Sequence, residues 1–163
     1  MTIRAGRKQE RTEALARDAI TIEQARAFAD GWFLALDEHA PIERAYSFLA
    51  DDDLSMQFPD GDIRDYASFK RWYERVTRLF FDEIHSVHSV EATIAGDGAE
   101  LRVVVGWQAS WFEPPAAKSN RTSMDATQAW TVRRSAKNAY GLEIVTYNAT
   151  AEPFAYAPGF ARL

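Results

Sequence analysis

A chain of 163 residues, 47% hydrophobic and 26% charged, has an ordinary globular composition and is long enough for one domain with its own core. It contains no cysteine, which excludes a disulfide framework, a zinc finger, an iron–sulfur cluster and a thiol nucleophile. A net charge of −5 argues against nucleic acid as the main partner, because that role needs a basic face.

Residues 1–20 read as a polar N-terminal arm and residues 21–163 as a single domain. The arm holds Arg4, Arg7, Lys8, Arg11 and Arg17 against Glu10 and Glu13, so a basic segment precedes an acidic body. Nothing in it resembles the apolar stretch of a signal peptide, and no run reaches the roughly 18 apolar residues of a membrane span. A cytoplasmic protein without a membrane partner is the expectation.

Thr21 followed by Gln24 predicts a capping box, and Ile22, Ala25, Phe28, Ala29, Trp32, Phe33 and Leu36 then recur at helical spacing. Pro41 ends that helix and suits the first turn of a short second one carrying Ile42, Ala45, Tyr46, Phe48 and Leu49. A strand over 54–58 and a turn at Pro59-Asp60-Gly61-Asp62 follow. Asp65 caps a third helix, whose Phe69, Trp72, Tyr73 and Val76 keep the helical period.

From residue 84 the period becomes two. Strands are predicted over 84–95, 101–112, 122–134 and 142–150, with a tight hairpin at Gly96-Asp97-Gly98. Three helices before a meander of long antiparallel strands make an α+β plan. Its simplest packing curls the sheet around the first helix and leaves a conical cavity at the open end.

This order of elements resembles the nuclear transport factor 2-like fold, in its SnoaL-like (polyketide-cyclase-like) branch, over about residues 20–150. The resemblance rests on Phe58-Pro59-Asp60-Gly61 before the third helix, on His85-Ser86-Val87-His88-Ser89-Val90 leading to Gly96-Asp97-Gly98-Ala99, and on Ile144-Val145-Thr146-Tyr147 near the end. It implies a cone-shaped α+β barrel, three helices on a strongly curved, mainly antiparallel sheet, with a pocket and frequent dimers. No single activity follows from it, because the fold hosts isomerases, dehydratases, cyclases, dioxygenase β subunits and non-enzymes. Two departures are visible. Isomerases of this fold carry a general-base aspartate before a proline, where this chain has Phe58 before Pro59. Scytalone-dehydratase-like members pair a histidine near His85 with a second on the next strand, where this chain has Trp107 and Gln108.

Candidate acid–base groups are His88, His85 and Asp125. Strand side chains alternate faces, so positions 85 and 88 point opposite ways. Parity with Ile84, Val90, Ala92 and Ile94 places His88 inside, whereas the resemblance favours His85; a β-bulge would reconcile the two. Asp125 is expected opposite Met124 and Ala126, either orienting a histidine or pairing with Arg121 or Arg133 on the surface. Asp60 and Asp62 stand at the mouth-side turn. The aromatic set Trp32, Trp107, Trp111, Trp130 and Tyr147 is expected to form a ring-accommodating pocket.

The expected function is a cofactor-free lyase, isomerase or cyclase that transfers a proton on a small apolar or aromatic molecule, with no metal. The alternatives are a non-catalytic ligand-binding or dimerisation module, or an accessory subunit resembling dioxygenase β subunits. Large apolar side chains on both faces of the 101–112 strand predict a homodimer through the outer face of the sheet.

Overall fold

The computed structural model describes residues 6–7 and 19–163, and the basic arm expected over residues 1–17 otherwise lies outside them. Helix α1 (Ile22–Asp37) starts at Thr21, whose hydroxyl accepts from the Gln24 backbone N–H at 3.1 Å. The predicted capping box is only half made, because the Gln24 side chain donates to the Tyr140 carbonyl instead. Helix α2 (Ile42–Tyr46) is a single turn behind Pro41, and α3 (Tyr66–Leu79) opens on a full capping box between Asp65 and Ser68.

The described residues form seven strands: β1 (Ser55–Phe58), β2 (Gly61–Ile63), β3 (Phe81–Ala95), β4 (Gly98–Trp111), β5 (Asn120–Arg134), β6 (Leu142–Asn148) and β7 (Ala155–Tyr156), of which β1, β3, β4, β5 and β6 match the five expected from the sequence. Two short strands were not foreseen. The expected turn at 59–62 feeds β2, which pairs antiparallel with β1, and the tail contributes β7 against the far end of β5. The sheet runs β2-β1-β6-β5-β4-β3, antiparallel except where β1 lies parallel to β6. Gly96, at φ 61°, makes the tight β3–β4 turn that a residue with a Cβ would strain. The architecture is α+β, three helices on a mostly antiparallel curved sheet.

The core lies between the helices and the inner sheet face. Alternate residues of β4 (Leu101, Val103, Val105) and β5 (Ala126, Gln128, Trp130, Val132) are buried there, against Phe28, Trp32 and Phe33 of α1 and Phe69 of α3. The far side of the sheet carries Glu100, Arg102, Asp125, Thr127 and Thr131. No helix among the described residues is long and apolar enough to cross a membrane.

Strand β3 breaks its own alternation. Val87 pairs with Val105 and Ser89 with Val104, so His88 is an extra residue in a β-bulge. His85 and Val87 therefore face inward before it, and Val90 faces inward after it. The parity that places His88 inside fails here because the bulge resets the phase.

Candidate functional site

The inner face of the sheet and α3 enclose a cavity of about 610 Å³. Its walls are largely apolar and aromatic, including Phe58, Trp72, Phe80, Trp107 and Tyr147. The tail supplies Phe154, Tyr156 and Leu163, and an Asp60–Arg75 ion pair of 2.6 Å stands on the same wall. Asp62, the other turn carboxylate, lies 3.6 Å from Arg64 in an exposed pair.

His85 lines this cavity and is held from two sides. Asp37, the last residue of α1, accepts the His85 backbone N–H at 2.9 Å with one oxygen and faces ring Nδ1 at 2.5 Å with the other. The imidazole stacks on Phe33 at 4.7 Å and, more distantly, on Trp107 at 6.1 Å. A carboxylate accepting from Nδ1 fixes the tautomer that leaves a lone pair on Nε2. That nitrogen has no hydrogen-bond partner among the described residues. The ring is 11% exposed and its aspartate 17%, so the pair works in a medium far less polar than water.

A second histidine–carboxylate pair lies beside the first. Glu83, two residues before His85 on β3, lines the cavity, and its carboxylate is 10% exposed. One oxygen accepts from Trp107 Nε1 at 3.2 Å, and the other lies 2.7 Å from His39 Nε2. His39 follows α1 in the turn that closes the helix. The Tyr73 hydroxyl of α3 pins that turn by donating to the Ala40 carbonyl at 2.5 Å. The Tyr73 phenol is pushed up, first by burial and then by the negative charge of Glu83.

The other expected site residues are placed differently. His88 and Asp125 lie on the outer face, half exposed, with Nε2 3.0 Å from Oδ1 across β4 at Gly106, and neither reaches the cavity. A Cβ at Gly106 would fall 2.8 Å from the His88 ring, so glycine is what lets the two side chains meet. Asp125 thus pairs with His88 rather than with Arg121 or Arg133. We expect His88→Ala to cost under about 1 kcal/mol, as exposed ion pairs do, and to leave cavity binding unchanged. Parallel thermal melts and titration with an apolar dye check this.

Of the aromatic set, Trp107 and Tyr147 line the cavity. Trp32, Trp111 and Trp130 do not, and their expected ligand contacts are corrected to packing roles. Trp32 is fully buried and donates to the Tyr147 hydroxyl at 3.3 Å, while Trp130 donates to Gln128 at 3.0 Å. Trp111 packs edge-on to Phe80 and donates to Glu113 at 2.9 Å. Burial raises the Tyr147 phenol strongly, so its hydroxyl stays protonated.

Asp37, Glu83 and His39 were missed in the sequence. Glu83 shares the phase of His85 and was legible from that spacing. Asp37 and His39 sit at a helix end, where a polar residue ordinarily signals only solvent, and their partners are more than 40 positions away.

No family model matches the chain, and no curated protein matches it in sequence. Solved structures do resemble it. A provisionally assigned aromatic ring hydroxylase of Novosphingobium aromaticivorans superposes with a TM-score of 0.69 at 15% identity, over 85% of this chain and 96% of that one. A nuclear transport factor 2-like superfamily protein of Salmonella enterica serovar Typhimurium gives 0.59 at 14%, over 86% and 96%. The hexachlorocyclohexane dehydrochlorinase LinA-type3 of Novosphingobium barchaimii gives 0.61 at 11%, over 96% and 98%. Together these establish the nuclear transport factor 2-like fold.

Proposed function

We propose that this nuclear transport factor 2-like chain is a cofactor-free lyase or isomerase that removes a proton from carbon in a small apolar or aromatic substrate. His85 is the base and Asp37 its positioning residue. The observation that carries the reading is the Asp37–His85 pair at 2.5 Å, its Nε2 unpartnered among the described residues, on the wall of an apolar cavity. The aspartate stabilises the imidazolium formed when Nε2 takes a proton, and the stacked Phe33 and Trp107 rings keep the imidazole from turning. A volume of about 610 Å³ suits a molecule of one or two rings.

Elimination is favoured over isomerisation by the residue before Pro59. Phe58 stacks on Trp72 at 4.1 Å, so no carboxylate stands at the position where the isomerases carry their base. Likeness to a structure named as a dehydrochlorinase supports the same direction. The homodimer through the outer sheet face stays part of this proposal, supported by half-buried Val104 on that face and Phe112 exposed at the end of the strand. So does a cytoplasmic location.

A nitrobenzisoxazole is a suitable probe, because a base in an apolar pocket opens its ring and releases a coloured phenolate. Turnover is expected from the native protein. His85→Gln should lower kcat about 100-fold and Asp37→Asn about 10-fold, each with KM little changed because the cavity walls remain. Turnover that His85→Gln leaves intact would overturn the assignment and favour the binding-module alternative.

A further inference from the structure

Proton abstraction by His85 leaves the Glu83–His39 pair without a task, yet the fold spends unusual backbone geometry on holding it. Helix α1 ends in a Schellman turn: the His39 N–H bonds the Leu36 carbonyl at 3.1 Å and the Ala40 N–H bonds that of Ala35 at 3.0 Å. The left-handed position of that turn normally takes glycine, but here it is His39 at φ 47°. On the other side of the pair, Asp82 at φ 48° precedes Glu83, where the pairing of β3 with β4 also shifts register. Among the described residues only Asp53 is a further non-glycine residue with positive φ. One of the three such positions is therefore a member of the ion pair and a second adjoins its partner, and strain of this kind collects where a site must be held in place.

We propose that Glu83, backed by His39, is the cavity's proton donor to a departing oxygen. The substrate is then an oxygen-bearing molecule that undergoes elimination, such as a β-hydroxy or aryloxy compound. This rests on the reading of His85 as the base. Its Nε2 takes the proton, the C–H electron pair becomes the new π bond, and the C–O bond breaks. The proton held between His39 and Glu83 passes to the oxygen, which leaves as water from a β-hydroxy compound or as a phenol from an aryloxy one. His39, 31% exposed at its side chain, readmits a proton from solvent, and His85 gives its own back to solvent.

The placement fits that division of labour. Trp107 stacks against His85 with its ring and donates to Glu83 with its N–H, so base and acid meet the same indole on the cavity wall. Trp107 Nε1 holds Glu83 Oε1, and Oε2 faces His39 Nε2. Glu83 is thus a catalytic residue in this proposal, while His39, acting through it, is a positioning residue.

The test uses a series of benzisoxazoles whose phenolate ranges from a good leaving group (nitro-substituted) to a poor one (unsubstituted). A base must remove the same C–H in each, but only the poor leaving group needs a proton. Glu83→Gln, which keeps an acceptor for Trp107, is expected to slow the nitro compound about 2-fold and the unsubstituted one more than about 10-fold. His39→Gln should show the same widening with KM unchanged. An equal loss across the series, or none, would overturn the proposal and leave Glu83 a structural anchor. His85→Gln should depress all members alike, and its failure to do so would instead remove the base assignment on which the proposal rests. Thermal melts of each variant separate a folding defect from these outcomes. For a variant that does not fold, Glu83→Asp gives the same comparison, because it keeps a proton donor set back by one methylene and should widen the series less than Glu83→Gln.

Discussion

Replacing Trp130 with alanine is expected to lower the unfolding free energy by about 3–5 kcal/mol. The indole is 1% exposed and sits in the middle of the sheet, opposite Leu101 on one neighbouring strand and Tyr147 on the other. It stacks on Tyr147 at 4.9 Å and meets Phe33 at 5.7 Å and Phe28 edge-on at 6.4 Å, so it joins α1 to the sheet. Removing it opens a void that these rings cannot all collapse to fill, and it deprives buried Gln128 of its donor. For a chain of this length the corresponding fall in Tm is about 6–20 °C. Trp130→Phe keeps most of the volume and should cost less than half as much. Urea unfolding of the three proteins decides the matter; a loss under about 1 kcal/mol for Trp130→Ala would mean that the aromatic cluster repacks without its central ring. Activity of the folded fraction should persist, since the indole does not reach the cavity.

That expectation also shows which part of the site the sequence could carry. Periodicity placed Trp130, Val132 and Leu101 on the inner face correctly, because those strands alternate without interruption there. The same count failed on β3. Residues 84, 88, 90, 92 and 94 share a phase, but one extra residue between Val87 and Ser89 turns His88 outward and leaves His85 inside. A bulge leaves no mark in composition, and only the resemblance in the His85 region pointed the other way. The partners of the inward histidine were still less legible. Asp37 meets His85 across 48 positions, brought there by the packing of α1 over β3, and no local spacing encodes that. The tryptophans were overread for a related reason. Five large rings are compatible with a pocket or with a core, and the choice depends on where the helices lie. Here α1 carries Trp32 and covers Trp130, and of the expected set only Trp107 on β4 and Tyr147 on β6 stand on the cavity wall, with Trp72 of α3 beside them.

Glu143→Ala is expected to destabilise the fold by about 3 kcal/mol, through charge rather than volume. The Glu143 side chain on β6 is 9% exposed and accepts from Arg133 Nε at 2.8 Å and Lys137 Nζ at 3.2 Å. Arg133 reaches on to Asp52 at 2.6 Å, and Lys137 to Asp51 at 2.7 Å and to the Leu49 carbonyl. The network therefore ties the ends of β5 and β6 to the loop that enters β1. Tyr66 of α3 joins it through Asp51, and burial followed by that carboxylate pushes its phenol up to about 12. Losing the buried carboxylate leaves two cations facing a low-polarity wall, which is costlier than losing an exposed pair. The cost stays at the low end of the usual range because both cations are about a third exposed and keep their outer aspartates. Those aspartates add a pH signature. Hydrogen bonds from Arg133 and Lys137 hold the Asp52 and Asp51 carboxyls below their ordinary 3.8, so what they contribute is present above that value and lost as the pH falls through the lowered one. Glu143→Ala should accordingly lose more stability than the native protein as the pH falls below 3.8, because the outer pairs are then all that neutralise the two cations. Chemical unfolding at neutral pH and again at about pH 2.5 measures both effects, and a variant as stable as the native protein at both would show that the network is a surface ornament rather than a clamp.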